Sequence, residues 1–136
     1  TSLFAGTTEL LRSLAQRGMP WGIVTNKAAR FTEPIVRGLA DLQPAMVVIS
    51  GDTLAHAKPH PAPLLEAARR LAIEPARCLY VGDDLRDMQA ARAAGMAGMA
   101  ALWGYLGDAP VNDWGADVLA HQPCDVLAWV EQRVGV

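Results

Sequence analysis

The sequence predicts an α/β fold with a largely parallel sheet, in one domain over residues 1–136. Three observations carry this. Short apolar runs occur at Trp21-Gly22-Ile23-Val24, Met46-Val47-Val48-Ile49 and Cys78-Leu79-Tyr80-Val81. Each stops at a polar loop, the mark of a buried parallel strand. Between them lie stretches whose apolar residues recur at helical spacing.

In chain order, a helix is expected from Thr7 or Thr8, either of which could cap it, with Leu10, Leu11 and Leu14 on one face and Gly18 closing it. The strand at Trp21 to Val24 ends at Thr25-Asn26-Lys27. A helix over residues 28–39 follows, with Pro34 marking its first turn or a kink. The strand at Met46 to Ile49 ends at Ser50-Gly51-Asp52. Pro61 and Pro63 suit the first turn of a third helix, whose Leu64, Leu65, Ala68 and Leu71 recur at helical spacing. The Cys78 strand runs into Gly82-Asp83-Asp84. A helix from Leu85 to Ala94 turns Met88, Ala91 and Ala94 inward and ends at Gly95, before a weaker strand at Met96 to Ala101. The last helix, Asp125 to Val134, groups Val126, Leu127 and Val130.

Composition narrows the function classes. Apolar residues make up 51% and charged residues 19%, a profile that folds rather than stays disordered. The formal charge is -2 with no basic block, so no nucleic-acid partner is expected. The weakly polar stretch from Met96 to Leu106 is too short for a bilayer and broken by glycines, and no basic-then-apolar leader opens the chain. A cytoplasmic protein is expected. Cys78 and Cys124 are too few for a disulfide framework or a zinc knuckle. The chain opens Thr1-Ser2-Leu3, without methionine, and reads as a cut end.

In an open parallel sheet, sites form where the carboxyl ends of strands meet helix N-termini. Thr25-Asn26, the loop from Ser50 to Lys58, and Asp83-Asp84 with Asp87 all fall there. A hydroxyl, an amide, an ammonium and carboxylates brought together suit a phosphoryl group and the divalent cation that neutralises it. Each has a plainer reading alone: Thr-Asn as a helix cap, Lys58 as a solvated loop residue, the acidic cluster as a partner for a helix dipole. Their joint order at strand ends favours the chemistry. His56 and His60 have metal-like spacing only in a helix, which Pro59 and Pro61 oppose. Trp103, Tyr105 and Trp114 could line an entrance or pack a sheet edge.

Ile23-Val24-Thr25-Asn26, Lys58-Pro59-His60-Pro61 and Val81-Gly82-Asp83-Asp84-Leu85-Arg86-Asp87 resemble, in order, the second, third and fourth motifs of the haloacid dehalogenase superfamily. Trp21 to Lys27, Gly104-Tyr105 and Trp114-Gly115-Ala116-Asp117 are similar to the phosphoglycolate phosphatase branch and its sibling, N-acetylmuramic acid 6-phosphate phosphatase. The resemblance implies a Rossmann-like core with helices on both faces of the sheet, and Mg²⁺-dependent hydrolysis of a small phosphorylated metabolite through an aspartyl-phosphate. It implies that Thr25 donates to a phosphoryl oxygen, Asn26 orients substrate, and Lys58 pairs with phosphate and nucleophile. It further implies that Asp83 coordinates Mg²⁺ and that Asp87 ligates it or orients its waters. Asp84 stands where many relatives carry Ser or Thr, and helix capping is its plainer role.

The resemblance also shows what these residues lack. The family's nucleophile and its general acid lie in an Asp-x-Asp motif on the first strand, and none occurs in this sequence. That strand is central, between the Trp21 and Cys78 strands, and the helical cap that sorts substrates goes with it. The chain alone is expected to be inactive. The gap is expected to be met by an upstream segment, a swapped strand in a self-associated oligomer, or direct pairing of the flanking strands. A phospho-receiver domain, the rival from another class, places its acidic pair near the first strand, whereas here it follows Thr25 and Lys58. A stand-alone regulatory fragment is the third reading.

Overall fold

A computed structural model gives the structure of the chain and describes residues 6–104 and 111–134. Among these residues five α-helices and five strands alternate as far as β4, after which β5 is the next of them: α1 (Thr7–Gln16), β1 (Gly22–Val24), α2 (Ala29–Gly38), β2 (Val47–Ile49), α3 (Ala62–Leu71), β3 (Leu79–Gly82), α4 (Leu85–Ala94), β4 (Ala97–Ala101), β5 (Val118–Ala120) and α5 (Cys124–Val134). All strand pairs are parallel.

The strands form two sheets, β1-β2 and β3-β4-β5, and β1 does not pair with β3 among the described residues. Direct pairing of the flanking strands is therefore not how the expected gap is met here. Thr25 N donates to Ile49 O, and Met46 N donates to Trp21 O. Backbone groups alternate sides along a strand, so the N–H and C=O of Val24 point away from β2, toward β3. This open edge explains why β1, expected to be buried, has Gly22 exposed and Ile23 and Val24 only half-buried.

Helices cover both faces of the three-stranded sheet, as the period of two along β3 shows. Leu79 and Val81 pack with Met99, Ala120 and Val126 beneath α1 and α5, whereas Cys78 and Tyr80 pack with Leu64, Ala68, Ala90 and Ala91 of α3 and α4. β4, read from sequence as a weak strand, is the middle of its sheet, and its residues 98–101 are buried. Its small side chains let α4 approach closely. β5 has no counterpart among the strands expected from sequence.

Helix ends follow the predicted chemistry in part. Gly18 and Gly95 close α1 and α4 at positive φ, each with the paired reverse hydrogen bonds that satisfy the last carbonyls. At the start of α1, Gly6 holds the N-cap position without a side-chain bond, and neither Thr7 nor Thr8 caps. The Thr8 hydroxyl instead donates to Asp41 at 3.0 Å, tying α1 to the 3-10 turn Ala40–Leu42. Pro34 lies inside α2, beyond its first turn. Leu65 is 40% exposed, because α3 turns Leu64 and Ala68 to the sheet and Leu65 lies about 100° round the helix from Leu64. No described helix is long and apolar enough to cross a membrane.

Candidate active site

The site lies at the carboxyl ends of β1 and β3, on either side of the gap between the sheets. Thr25, Asn26, Lys58, Asp83 and Asp87, the five residues singled out from sequence, line one open cavity of about 400 Å³ with Lys27, Asp84 and Arg86.

Lys58 is its electrostatic centre. Asn26 grips the Lys58 backbone at both ends of its amide: Nδ2 donates to Lys58 O at 3.0 Å, and Lys58 N donates to Asn26 Oδ1 at 2.9 Å. The side chain then runs inward, where its ammonium donates to Asp87 Oδ1 at 2.5 Å, to the Tyr80 hydroxyl at 2.7 Å and to Val24 O at 3.4 Å. The Lys58 and Asp87 side chains are only 10% and 8% exposed, so water screens the pair weakly. The partner expected for Lys58 was a nucleophile and phosphate. Among the described residues its ion-pair partner is Asp87.

The turn after β3 is shaped around Asp87. A Cβ on Gly82 would sit 2.4 Å from Asp87 Cβ, so only glycine lets strand and helix approach this closely. Asp83 N donates to Asp87 Oδ2 at 3.1 Å, which occupies the second carboxylate oxygen. Asp84 caps α4: its Oδ1 accepts from Arg86 N at 2.9 Å, and Arg86 side-chain bonds hold its carboxyl below the usual range. The Asp83 side chain faces the cavity and enters no ion pair among the described residues. Partial desolvation first, and the Asp87 charge second, push its carboxyl up. Negative charge at Asp83 is thus poorly compensated.

Across the cavity, the Thr25 hydroxyl oxygen accepts from Lys27 N at 3.1 Å, which leaves its proton to donate elsewhere. Close packing again needs a glycine, since a Cβ on Gly51 would meet Asn26 O at 1.9 Å. The loop after β2 adds Asp52, whose carboxylate accepts from Ala29 N at 2.9 Å and caps α2 in place of the helix's own residues.

Tyr80 is the residue that sequence reasoning missed. Its ring packs with the α3 and α4 core, and its hydroxyl donates to Val24 O at 3.0 Å while accepting from Lys58. Burial, then the Asp87 charge, keep the phenol protonated. Nothing local marks it, because a strand tyrosine reads as core until Lys58 is placed beside it.

Of the remaining candidates in the described residues, Trp103 borders the site and the others lie away from it. His56 and His60 stack with ring centroids 4.1 Å apart on the exposed loop before α3, outside any helix. His60 Nδ1 accepts from Ala62 N. Trp114 is buried on Met88 and Ala100, as core. Trp103 packs with the α5 cluster and lines a neighbouring cavity of about 340 Å³ that also reaches Tyr80 and Lys58. Tyr105 lies outside the described residues. Among the described residues, no three His, Cys, Asp or Glu side chains are grouped to hold a metal ion.

Residues 1–95 match the family of haloacid dehalogenase-like hydrolases. The chain is 53% identical over 122 residues to a phosphoglycolate phosphatase of Xanthomonas campestris pv. campestris (strain 8004), covering 89% of this chain and 55% of that protein. It is 40% identical over 126 residues to an N-acetylmuramic acid 6-phosphate phosphatase of Pseudomonas aeruginosa, covering 91% and 55%. The crystal structure of a predicted phosphoglycolate phosphatase from Haemophilus somnus 129pt superposes with a TM-score of 0.88 at 28% identity, over 94% of this chain and 57% of that one. The chain thus spans about half the length of the curated relatives it matches. The matched segment holds every residue of the cavity and most of the chain, and the chain belongs to the haloacid dehalogenase-like hydrolase family.

Proposed function

We propose that these residues form the phosphate- and metal-binding part of a Mg²⁺-dependent phosphatase. It hydrolyses a small phosphate monoester, in the manner of phosphoglycolate phosphatase, through an aspartyl-phosphate on a carboxylate supplied from outside them. The observation that carries this is the convergence of Thr25, Lys58, Asp83 and Asp87 on one cavity from three strand-end loops.

Asp83 suits a hard divalent cation: an oxygen donor at the cavity surface that enters no ion pair among the described residues. Asp83 would hold Mg²⁺, which when bound supplies neutralising charge to phosphate oxygens, and Asp87, whose oxygens are engaged by Lys58 and Asp83 N, stands behind it. One carboxylate is an incomplete ligand set, and water, phosphate and the incoming carboxylate would make up the rest. Thr25 donates its hydroxyl proton to a phosphoryl oxygen. Lys58 offsets charge that builds on the transferring group, and Asn26 fixes the loop from which Lys58 reaches in. Asp87 holds the Lys58 ammonium in place.

The edges of β1 and β3 that face each other across the gap are where the missing carboxylate enters, on a strand of the same polypeptide or of a partner chain. No Asp-x-Asp occurs in these 136 residues, so they release no phosphate by themselves. The second substrate reading, N-acetylmuramic acid 6-phosphate, rests on the relative of that name. Phosphate release from both esters by the polypeptide that includes the Asp-x-Asp strand, with Mg²⁺ and with EDTA, tests the proposal. Mg²⁺-dependent release from one ester names the substrate. Release from neither, or release unaffected by EDTA, overturns it.

A further inference from the structure

We propose that Tyr80 is a positioning residue for Lys58: its hydroxyl fixes the ammonium against Asp87 and keeps the Val24 carbonyl satisfied when Lys58 turns to substrate.

The geometry leads there by counting donors. An ammonium has three protons, and Lys58 directs them to three acceptors: Asp87 Oδ1 at 2.5 Å, Tyr80 Oη at 2.7 Å and Val24 O at 3.4 Å. Contact with a phosphoryl oxygen requires one of these bonds to be given up. The bond to Val24 O is the longest, and it is the one whose loss leaves nothing unsatisfied, because Tyr80 also donates to that carbonyl, at 3.0 Å. Tyr80 and Asp87 then keep two protons in place and leave the third for the substrate. Without the hydroxyl, the ammonium would have to hold the Val24 carbonyl itself, and its position against Asp87 would rest on one bond. The Tyr80 ring is anchored by Leu64, Ala68, Ala90 and Ala91, so the hydroxyl is held by rigid core. Fixing Lys58 requires only these contacts, whereas the effect on turnover rests on the phosphatase reading above.

The test separates the two. The chain has two lysines, Lys27 and Lys58, and Lys27 is exposed, so the ¹⁵Nζ spectrum of lysine-labelled protein distinguishes a protected ammonium from a solvated one. Tyr80→Phe keeps the ring and removes only the hydroxyl. The Lys58 signal is expected to shift and to exchange faster with water, with that of Lys27 unchanged. An unaltered Lys58 signal overturns the proposal. In the phosphatase that includes the Asp-x-Asp strand, the same change is expected to lower kcat by roughly 10-fold or more, the scale of one hydrogen bond to a charged group, with KM held within about 2-fold. A shifted signal with unchanged kcat overturns the role in the reaction. If wild-type protein hydrolyses neither ester, the phosphatase reading fails and the spectrum alone decides the contact. Tyr80→Met, which fills the space without a hydroxyl, carries the same expectations should Tyr80→Phe not fold.

Discussion

Lys58→Ala is expected to destabilise the fold by about 3–5 kcal/mol, read from the urea midpoint at constant m-value. Lys58 and Asp87 lie 2.5 Å apart with side chains 10% and 8% exposed. Removing the ammonium strands a carboxylate beneath the cavity. Oδ2 keeps its bond from Asp83 N, and Oδ1 is left with only the Tyr80 hydroxyl 3.4 Å away, whose single proton Val24 O also accepts at 3.0 Å. Most of this loss comes from the unpaired partner and not from the pair itself. A double change of Lys58→Met with Asp87→Leu, which buries no charge, should therefore recover most of the stability. A surface ion pair behaves differently, contributing about 0–1 kcal/mol. A loss in that lower range for Lys58→Ala would mean that solvent reaches the pair freely.

Asp83→Asn is expected to act almost entirely on turnover. Its side chain enters no ion pair among the described residues, and its carboxyl is pushed up by partial desolvation and by Asp87. Removing the charge therefore relieves repulsion and leaves the fold intact. In the polypeptide that includes the Asp-x-Asp strand, kcat should fall by more than the roughly 10–100-fold that follows loss of an outer-shell metal partner. The Mg²⁺ concentration for half-activity should rise as well. Kinetics at varied Mg²⁺ check this, and activity retained with an unchanged Mg²⁺ requirement would remove Asp83 from the metal site.

The contrast between these two residues follows from where each sits. Asp87 is in the first turn of α4, pressed against Gly82 and spent on Lys58. Asp83, four residues earlier, is on the loop and faces solvent. Both look alike in the sequence Gly-Asp-Asp-Leu-Arg-Asp. One carboxylate organises the site, and the other is available to a ligand.

Much of this was legible beforehand, because the signals were local. The strands at Trp21, Met46 and Cys78 are apolar runs cut off by polar residues, and those polar residues at strand ends converge for topological reasons. Asp84 was readable as a cap because an N-cap needs only its own helix. The sequence holds no Asp-x-Asp, and among the described residues the strands form two separate sheets. What could not be read depends on tertiary contacts. β5 is three residues long, too short for a period, and is held in part by Asp117, which exchanges bonds with Gly98 on β4 at 2.8 Å through its N–H and its carboxylate. β4 looked weak because Ala97, Gly98, Ala100 and Ala101 have little β propensity, yet small residues are what α4 needs at the sheet centre. Thr8, like Thr7, reads as a possible cap because its partner Asp41 is 33 residues away. Tyr80 reads as core for the same reason, with Lys58 22 residues upstream.

The central claim is that these residues hold phosphate and metal but borrow their nucleophile. It is tested most directly by phosphate release from phosphoglycolate with Mg²⁺, comparing the 136-residue chain with the polypeptide that also contains the Asp-x-Asp strand. The longer polypeptide is expected to turn over in a Mg²⁺-dependent manner, and the 136 residues alone to release nothing above the uncatalysed background. Turnover by the 136 residues alone, lost on Lys58→Ala, would contradict the account, because the attacking group would then have to lie among the residues described here.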